Sequence, residues 1–120
     1  MIRLGIYAAI GAVLGSLARF GVSEFFTMQG HSTFPWATFC VNVVGAFCIG
    51  LFVRFASIAE NDSMRAFVVT GLLGGFTTFS ALALEATELF DTNLMVALVY
   101  MFSTFVIGIL ATSVALGRHQ

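Results

Sequence analysis

The chain has 120 residues, of which 59% are hydrophobic and only 9% are charged, and its net charge is −1. A soluble domain carries about 25% charged residues, so this composition is typical of a membrane protein. The five basic residues are all arginines and form no basic patch, which argues against nucleic acid as a partner.

Four stretches are apolar and long enough to cross a bilayer, which takes about 20 residues in a helix. They cover residues 2–26, 34–55, 65–89 and 94–116, with short polar connections between them. The first apolar stretch is longer than the apolar region of a signal peptide, so we predict that it is a membrane span and not a cleavable signal. The sequence thus predicts an all-α membrane protein with a single four-helix transmembrane domain over residues 1–120.

The arginines are distributed unevenly over the predicted topology. With four spans, both termini and the second connection share one side, which holds Arg3, Arg54, Arg65 and Arg118, whereas the other side has at most Arg19. The positive-inside rule then predicts that both termini lie in the cytoplasm. With only five basic residues, the bias is weak.

Two polar residues stand out in the first two predicted helices. An arginine inside a membrane span is a candidate functional residue, although Arg19 lies near a helix end and could extend to the interface. In the second helix, the amide of Asn42 needs a hydrogen-bond partner in hydrocarbon. It either stabilises the bundle through an interhelical hydrogen bond or faces a solute path as a donor.

The third predicted helix contains the segment Gly74-Gly75-Phe76-Thr77-Thr78-Phe79-Ser80. Adjacent glycines weaken a helix by roughly 1 kcal/mol each, and backbone groups freed inside a bilayer must be buried or line a cavity. The segment therefore predicts a helix break near the bilayer midplane, where an ion or small solute is handled. The positive ring edge of Phe79 could meet a small anion there. Glu85 is either a solvated mouth residue or a partner for Arg19.

Hydroxyls on other predicted helices could extend this polar region. Tyr100 and Thr104 share a helix face because they are four residues apart. With Ser80 and Thr38 they could form a row of polar hydrogens through an apolar protein. The alternative for each serine or threonine is a hydrogen bond back to its own helix.

The size of the bundle limits where a solute could pass. Four helices fill their own core with side chains, so a path would run between subunits or along a groove, which favours an oligomer. Two pairs of glycines four residues apart, Gly11/Gly15 and Gly71/Gly75, would let helices approach closely.

The sequence predicts that the protein is not an enzyme. Its two histidines, His31 and His119, fall in a connection and in the tail. No set of nucleophile, base and orienting residue and no cluster of metal-ligating side chains is evident in the sequence.

Three segments together resemble the motifs of a known family. Gly74–Ser80 is similar to the helix-3 signature of the small bacterial fluoride channels, the Fluc or CrcB family. The segment Thr38-Phe39-Cys40-Val41-Asn42-Val43-Val44-Gly45 resembles that family's helix-2 motif, and Gly15-Ser16-Leu17-Ala18-Arg19-Phe20 resembles its helix-1 motif. Length, four spans and motif order agree over essentially the whole chain.

This resemblance implies a passive, fluoride-selective channel that exports cytoplasmic fluoride across the bacterial inner membrane. The family works as an antiparallel, dual-topology homodimer with two pores. It further implies a structural sodium ion at the dimer centre, held by the backbone carbonyls of Gly74 and Thr77 from both copies. The structural or vestibule role of Arg19 and Glu85 is inferred from these residues themselves and not from the resemblance. The pore-lining residues implied by position are Thr38, Asn42, Phe79, Ser80, Tyr100 and Thr104, with Leu82 at a further pore position.

The chain departs from the family pattern directly after Ser80. The family usually continues with threonine and phenylalanine, whereas this chain has Ala81 and Leu82. Leu82 replaces the second phenylalanine of the pair that lines each pore. Either one aromatic ring per subunit suffices, or the protein conducts more slowly or less selectively.

Two other functions compete with a channel. A small proton-coupled cation or drug exporter also has four spans, but it needs an acid embedded in the membrane. The first helix has none between Met1 and Ser23, and Glu24 lies at its end. A non-transporting membrane scaffold subunit would explain the glycines and aromatic residues, but not the clustered hydroxyls.

Overall fold

The structure is a computed structural model, and it describes residues 1–55 and 60–117. Three uninterrupted helices, α1 (Ile2–Met28), α2 (Trp36–Arg54) and α5 (Leu94–Leu116), accompany a third span over Asp62–Thr92. All four are long and apolar enough to cross a membrane, which confirms the predicted all-α, four-span architecture. Arg118 and His119 lie outside the described residues.

The third span is interrupted close to its middle. Its first piece, α3, covers residues 62–76 and consists of an α-helical turn, a π-helical segment and a final α-helical turn: Asp62–Arg65, Ala66–Leu73 and Gly74–Phe76. Thr77 (φ −79°, ψ 157°) and Thr78 (φ −150°, ψ 120°) are extended, and α4 follows over Phe79–Thr92. This interruption agrees with the break predicted between Gly74 and Ser80.

Several helices extend a few residues past the apolar stretches. α1 continues to Met28, and the third span runs from Asp62 to Thr92 instead of 65–89. Polar caps fix two of the helix starts. The Asn61 side chain accepts a hydrogen bond from the Met64 N–H (3.0 Å), and Asn93 accepts one from Val96 (3.1 Å). The Asn61 cap precedes the apolar residues, so hydropathy alone places the start of the third span too late, whereas the predicted start of the fourth span at residue 94 agrees with α5.

α1 and α3 pack with their backbones in contact, through the glycine pairs predicted to allow close approach. A methyl group added to Gly71 would lie 2.5 Å from the Ala8 carbonyl oxygen, and one added to Gly75 would lie 2.5 Å from that of Ala12. Methyl groups on Gly11 and Gly15 would overlap carbonyl oxygens of α3. This backbone contact holds α3, the helix that leads into the break, against α1.

We expect Gly15→Ala to lower the thermal unfolding midpoint of the purified protein. The added methyl group overlaps the Leu72 carbonyl, so the two helices must separate, and overpacking of this kind costs about 1–3 kcal/mol. Gly5→Ala is the matched control, because nothing lies within 4 Å of its added methyl group on the same helix. Equal midpoints for the two variants would contradict the close packing.

α5 packs beside α2 and α4 on the other side of the molecule. The Thr112 hydroxyl donates to the Ala46 carbonyl of α2 (2.9 Å) and lies 3.0 Å from the Gly108 carbonyl of its own helix. Towards the other end of α5, a small core joins it to α4, made of Leu82, Leu89, Ala97 and Tyr100. At the break, Thr77 and Thr78 border a space that residues of α2 and α5 also line.

Candidate functional site

The side chain of Asn42 is hydrogen-bonded to the interrupted backbone. Its Nδ2 donates to the Thr78 carbonyl (2.9 Å), and its Oδ1 accepts from the Thr78 N–H (2.8 Å). The Asn42 side chain therefore gives the Thr78 N–H and carbonyl the hydrogen-bond partners that the interrupted helix does not provide. One N–H of Asn42 remains for another partner. The interhelical hydrogen bond considered from the sequence is present, and a donor role towards a solute is still compatible with it.

The break also frees two backbone carbonyls from their usual helical partners. The Thr78 N–H, which would normally bond the Gly74 carbonyl, bonds Asn42 instead. The Ala81 N–H, which would normally bond the Thr77 carbonyl, goes to the Thr78 hydroxyl (3.2 Å). Gly74 and Thr77 border a cavity of about 280 Å³ together with Asn42, so the freed carbonyls lie near open space.

A second polar cluster forms around Glu85. Its Oε1 accepts from the Thr38 hydroxyl (2.8 Å) and its Oε2 from the Tyr100 hydroxyl (2.6 Å). Three helices supply these residues, and both hydroxyl residues are buried. The Thr38–Glu85–Tyr100 cluster thus gives the carboxylate two hydroxyl donors that the sequence did not pair with it.

Arg19 borders the same cavity as Glu85. This cavity has a volume of about 370 Å³ between α1, α2 and α4, and its polar lining residues are Ser16, Arg19, Ser23, Thr38, Thr78 and Glu85. The cationic and the anionic side chain thus share one polar space close to the break.

An open groove of about 560 Å³ runs between α2, α4 and α5. It brings together four residues predicted to line a pore, namely Asn42, Phe79, Leu82 and Thr104. Phe79 is 72% exposed, whereas Leu82 is only 4% exposed because it belongs to the core beside Tyr100. The groove is therefore polar at the break and apolar along its flanks.

The remaining predicted residues have different surroundings. Ser80 is exposed on the first turn of α4, with its hydroxyl 3.2 Å from that of Thr78. The Thr104 hydroxyl donates to the Tyr100 carbonyl (2.6 Å), which is the bond back to its own helix considered above. Its oxygen can still accept a further hydrogen bond.

Sequence reasoning missed three features of this site. Thr78 is the residue that Asn42 binds, Thr112 joins α5 to α2, and Phe105 lines the groove. Thr78 offered a usable signal, since it lies within the helix-3 motif and threonine is a good N-cap residue. The other two depend on how α5 faces its neighbours, which single residues in an apolar run do not indicate.

Comparison with known proteins identifies the family. The sequence profile of the family described as "CrcB-like protein, Camphor Resistance (CrcB)" matches residues 6–117. The chain belongs to the CrcB family. The resemblance inferred from the three motifs is thereby confirmed.

Curated relatives match this CrcB-family chain over most of its length. It is 40% identical over 99% of its residues to a protein of Agrobacterium fabrum (98% covered), which is named fluoride-specific ion channel FluC. A protein of Roseiflexus with the same name is 39% identical over 87% of the chain (86% covered). One of Listeria monocytogenes, fluoride-specific ion channel FluC 1, is 36% identical over 92% of both chains.

These relatives bear on two predictions for the CrcB-family chain. They are named as ion channels, which confirms the prediction that the protein is not an enzyme. With the four apolar spans, they also confirm a multi-pass membrane protein, and their bacterial sources fit an inner-membrane location.

Proposed function

We propose that the protein is a passive, fluoride-selective channel that lets fluoride leave the cytoplasm. The observation that carries this proposal is the pairing of Asn42 with the broken third span, beside a groove that holds an exposed aromatic ring. The near full-length relatives named as fluoride-specific ion channels support the choice of ion.

The chemistry of the groove suits a small anion that must give up its water. Asn42 has a free N–H, Ser80 lies beside the break with its hydroxyl, and the edge of the Phe79 ring carries positive charge. Among the described residues that line the groove, none is charged. Conduction needs binding that is favourable enough for entry yet weak enough for exit, which such neutral donors provide.

The proposed working unit is an antiparallel homodimer with two pores. Phe79 is 72% exposed and Gly74 and Ser80 are exposed too, although they lie in or beside the middle of a membrane span. The groove is also open and not an enclosed cavity. An inverted second copy would cover these residues and close both grooves, so each pore would contain residues of both protomers.

The freed carbonyls of Gly74 and Thr77 fit the sodium ion expected at the dimer centre. They are hard oxygen ligands, which suit a hard cation, and their helical donors are already used by Asn42 and Thr78. Two copies would supply four such oxygens. A buried cation there would lower the electrostatic cost of bringing an anion into the nearby pores.

We expect sodium removal to lower the thermal unfolding midpoint of the purified dimer. A ligand that binds only the folded state stabilises it by mass action, so exchange into N-methylglucamine at equal ionic strength removes this stabilisation. Added sodium should restore the midpoint, and potassium should not. Identical midpoints with and without sodium would contradict the proposed ion site.

The proposed function is tested with purified protein in liposomes loaded with potassium fluoride. When a potassium ionophore balances the charge, we expect rapid fluoride release at a fluoride electrode, because a passive channel needs only the ion gradient. Liposomes loaded with chloride should retain it. Fluoride release no faster than from protein-free vesicles would refute the channel.

A further inference from the structure

Four aromatic side chains meet where the connection from α1 enters α2. Phe34 is at their centre, with ring centroids 4.5 Å from Trp36, 5.5 Å from Phe39 and 5.4 Å from Tyr100. Its ring meets that of Tyr100 at 82°, an edge-to-face arrangement that is favoured between aromatic rings.

The backbone around Phe34 is fixed by short-range hydrogen bonds. Its N–H donates to the Ser32 hydroxyl (3.3 Å), and its carbonyl accepts from the Trp36 N–H (2.9 Å). Pro35 lies between them with φ −76°, a value that its ring enforces. Phe34 is thus presented to the bundle from a stiff turn.

The partner of Phe34 belongs to the Thr38–Glu85–Tyr100 cluster. Tyr100 is fully buried, and its hydroxyl donates to Glu85 at 2.6 Å. This hydroxyl lies in the plane of its ring, so a tilt of the ring moves it relative to the carboxylate. Phe34 also borders a cavity of about 490 Å³ that reaches Glu85 from the α1–α2 connection.

We propose that Phe34 is a positioning residue that keeps the Tyr100 hydroxyl on Glu85 and thereby sets the rate of ion passage. This step rests on the proposed function and extends its route beyond the groove. Thr78 lines both the groove and the cavity that holds Thr38 and Glu85, so an ion at the break would lie next to the Thr38–Glu85–Tyr100 cluster. Phe34 acts through Tyr100 and does not itself touch the ion.

Fluoride efflux from liposomes tests the coupling between the two residues in a double-mutant cycle. We expect Phe34→Ala to slow efflux about tenfold, which corresponds to about 1.4 kcal/mol. In a Tyr100→Phe protein, which lacks the hydroxyl, the same substitution should slow efflux less than twofold further. Phe90→Ala is the matched control, since Phe90 is a partly exposed phenylalanine at the end of α4 and should leave efflux unchanged.

Two efflux results would overturn the proposal. Phe34→Ala could leave efflux unchanged, or it could slow the Tyr100→Phe protein as much as the parent protein. The second result would mean that Phe34 contributes only general packing.

An infrared measurement tests whether Phe34 positions the Tyr100 hydroxyl on Glu85, and it needs no ion flux. The Glu85 carboxyl stretch is identified as the band that Glu85→Gln removes. Phe34→Ala should shift this band in the same direction as Tyr100→Phe, and Phe90→Ala should not. A shift in a protein that passes no fluoride would refute the proposed function and keep the positioning role, whereas an unshifted band would refute the positioning role.

Discussion

Replacing Asn42 by aspartate is expected to slow fluoride efflux by far more than tenfold. The substitution keeps the shape of the side chain but removes the N–H that donates to the Thr78 carbonyl. An unsatisfied buried polar group costs about 1–3 kcal/mol. A carboxylate would also place negative charge beside the route of an anion. The measurement is the initial efflux rate from liposomes, at equal amounts of folded protein by size-exclusion chromatography.

Asn93→Asp is the matched control for this experiment. The Asn93 side chain accepts a hydrogen bond from the Val96 N–H at the start of α5, and aspartate caps a helix equally well. It introduces the same charge away from the groove, so efflux should stay at the level of the parent protein. Equal efflux from the Asn42→Asp and Asn93→Asp proteins would mean that ions pass elsewhere.

Phe79→Ile is expected to slow efflux strongly while the fold remains intact. Isoleucine keeps apolar bulk but lacks the positive ring edge that meets an anion. Phe79 is 72% exposed in the single chain, and isoleucine keeps apolar bulk where a second copy would cover this position, so the substitution removes little packing. The rate of fluoride efflux should therefore fall strongly, while the thermal unfolding midpoint should change little.

Phe102→Ile provides the control for ring loss. Phe102 is also 72% exposed, but it lies outside the groove lining. Efflux should be unaffected by this change. If the two substitutions slow efflux equally, the loss comes from replacing any exposed phenylalanine and not from the ring of Phe79 in the groove.

The buried position of Leu82 bears on the departure from the family motif. Leu82 packs against Tyr100 in the core between α4 and α5 while it also borders the groove. A phenylalanine there would need extra space in a filled core, which typically costs about 1–3 kcal/mol. The packing around Tyr100 thus gives a physical reason for the smaller side chain.

The sequence predicted the parts of the fold that depend on local composition. Apolar length was sufficient for the four spans, and the glycines and hydroxyls between Gly74 and Ser80 were sufficient for the interruption. It could not predict the π-helical segment Ala66–Leu73, because these residues read as an ordinary apolar helix. That segment packs backbone-to-backbone against α1, so its geometry depends on a tertiary contact.

The sequence singled out some polar residues of the candidate site but not their arrangement. Asn42 and Glu85 were recognisable because polar groups in hydrocarbon need partners. Their partners, Thr78 for Asn42 and the hydroxyls of Thr38 and Tyr100 for Glu85, lie 15 to 47 residues away in the chain. Such pairings depend on helix packing, which a single sequence does not encode locally.

The reversal potential in a planar bilayer tests the central claim most directly, namely that fluoride alone passes, and passes down its own gradient. With fluoride gradients across the membrane and chloride gradients opposed to them, the current should reverse at the fluoride equilibrium potential. A pH gradient should not move it. A reversal potential that follows chloride, or one that shifts with pH as in a proton-coupled exporter, would contradict this account.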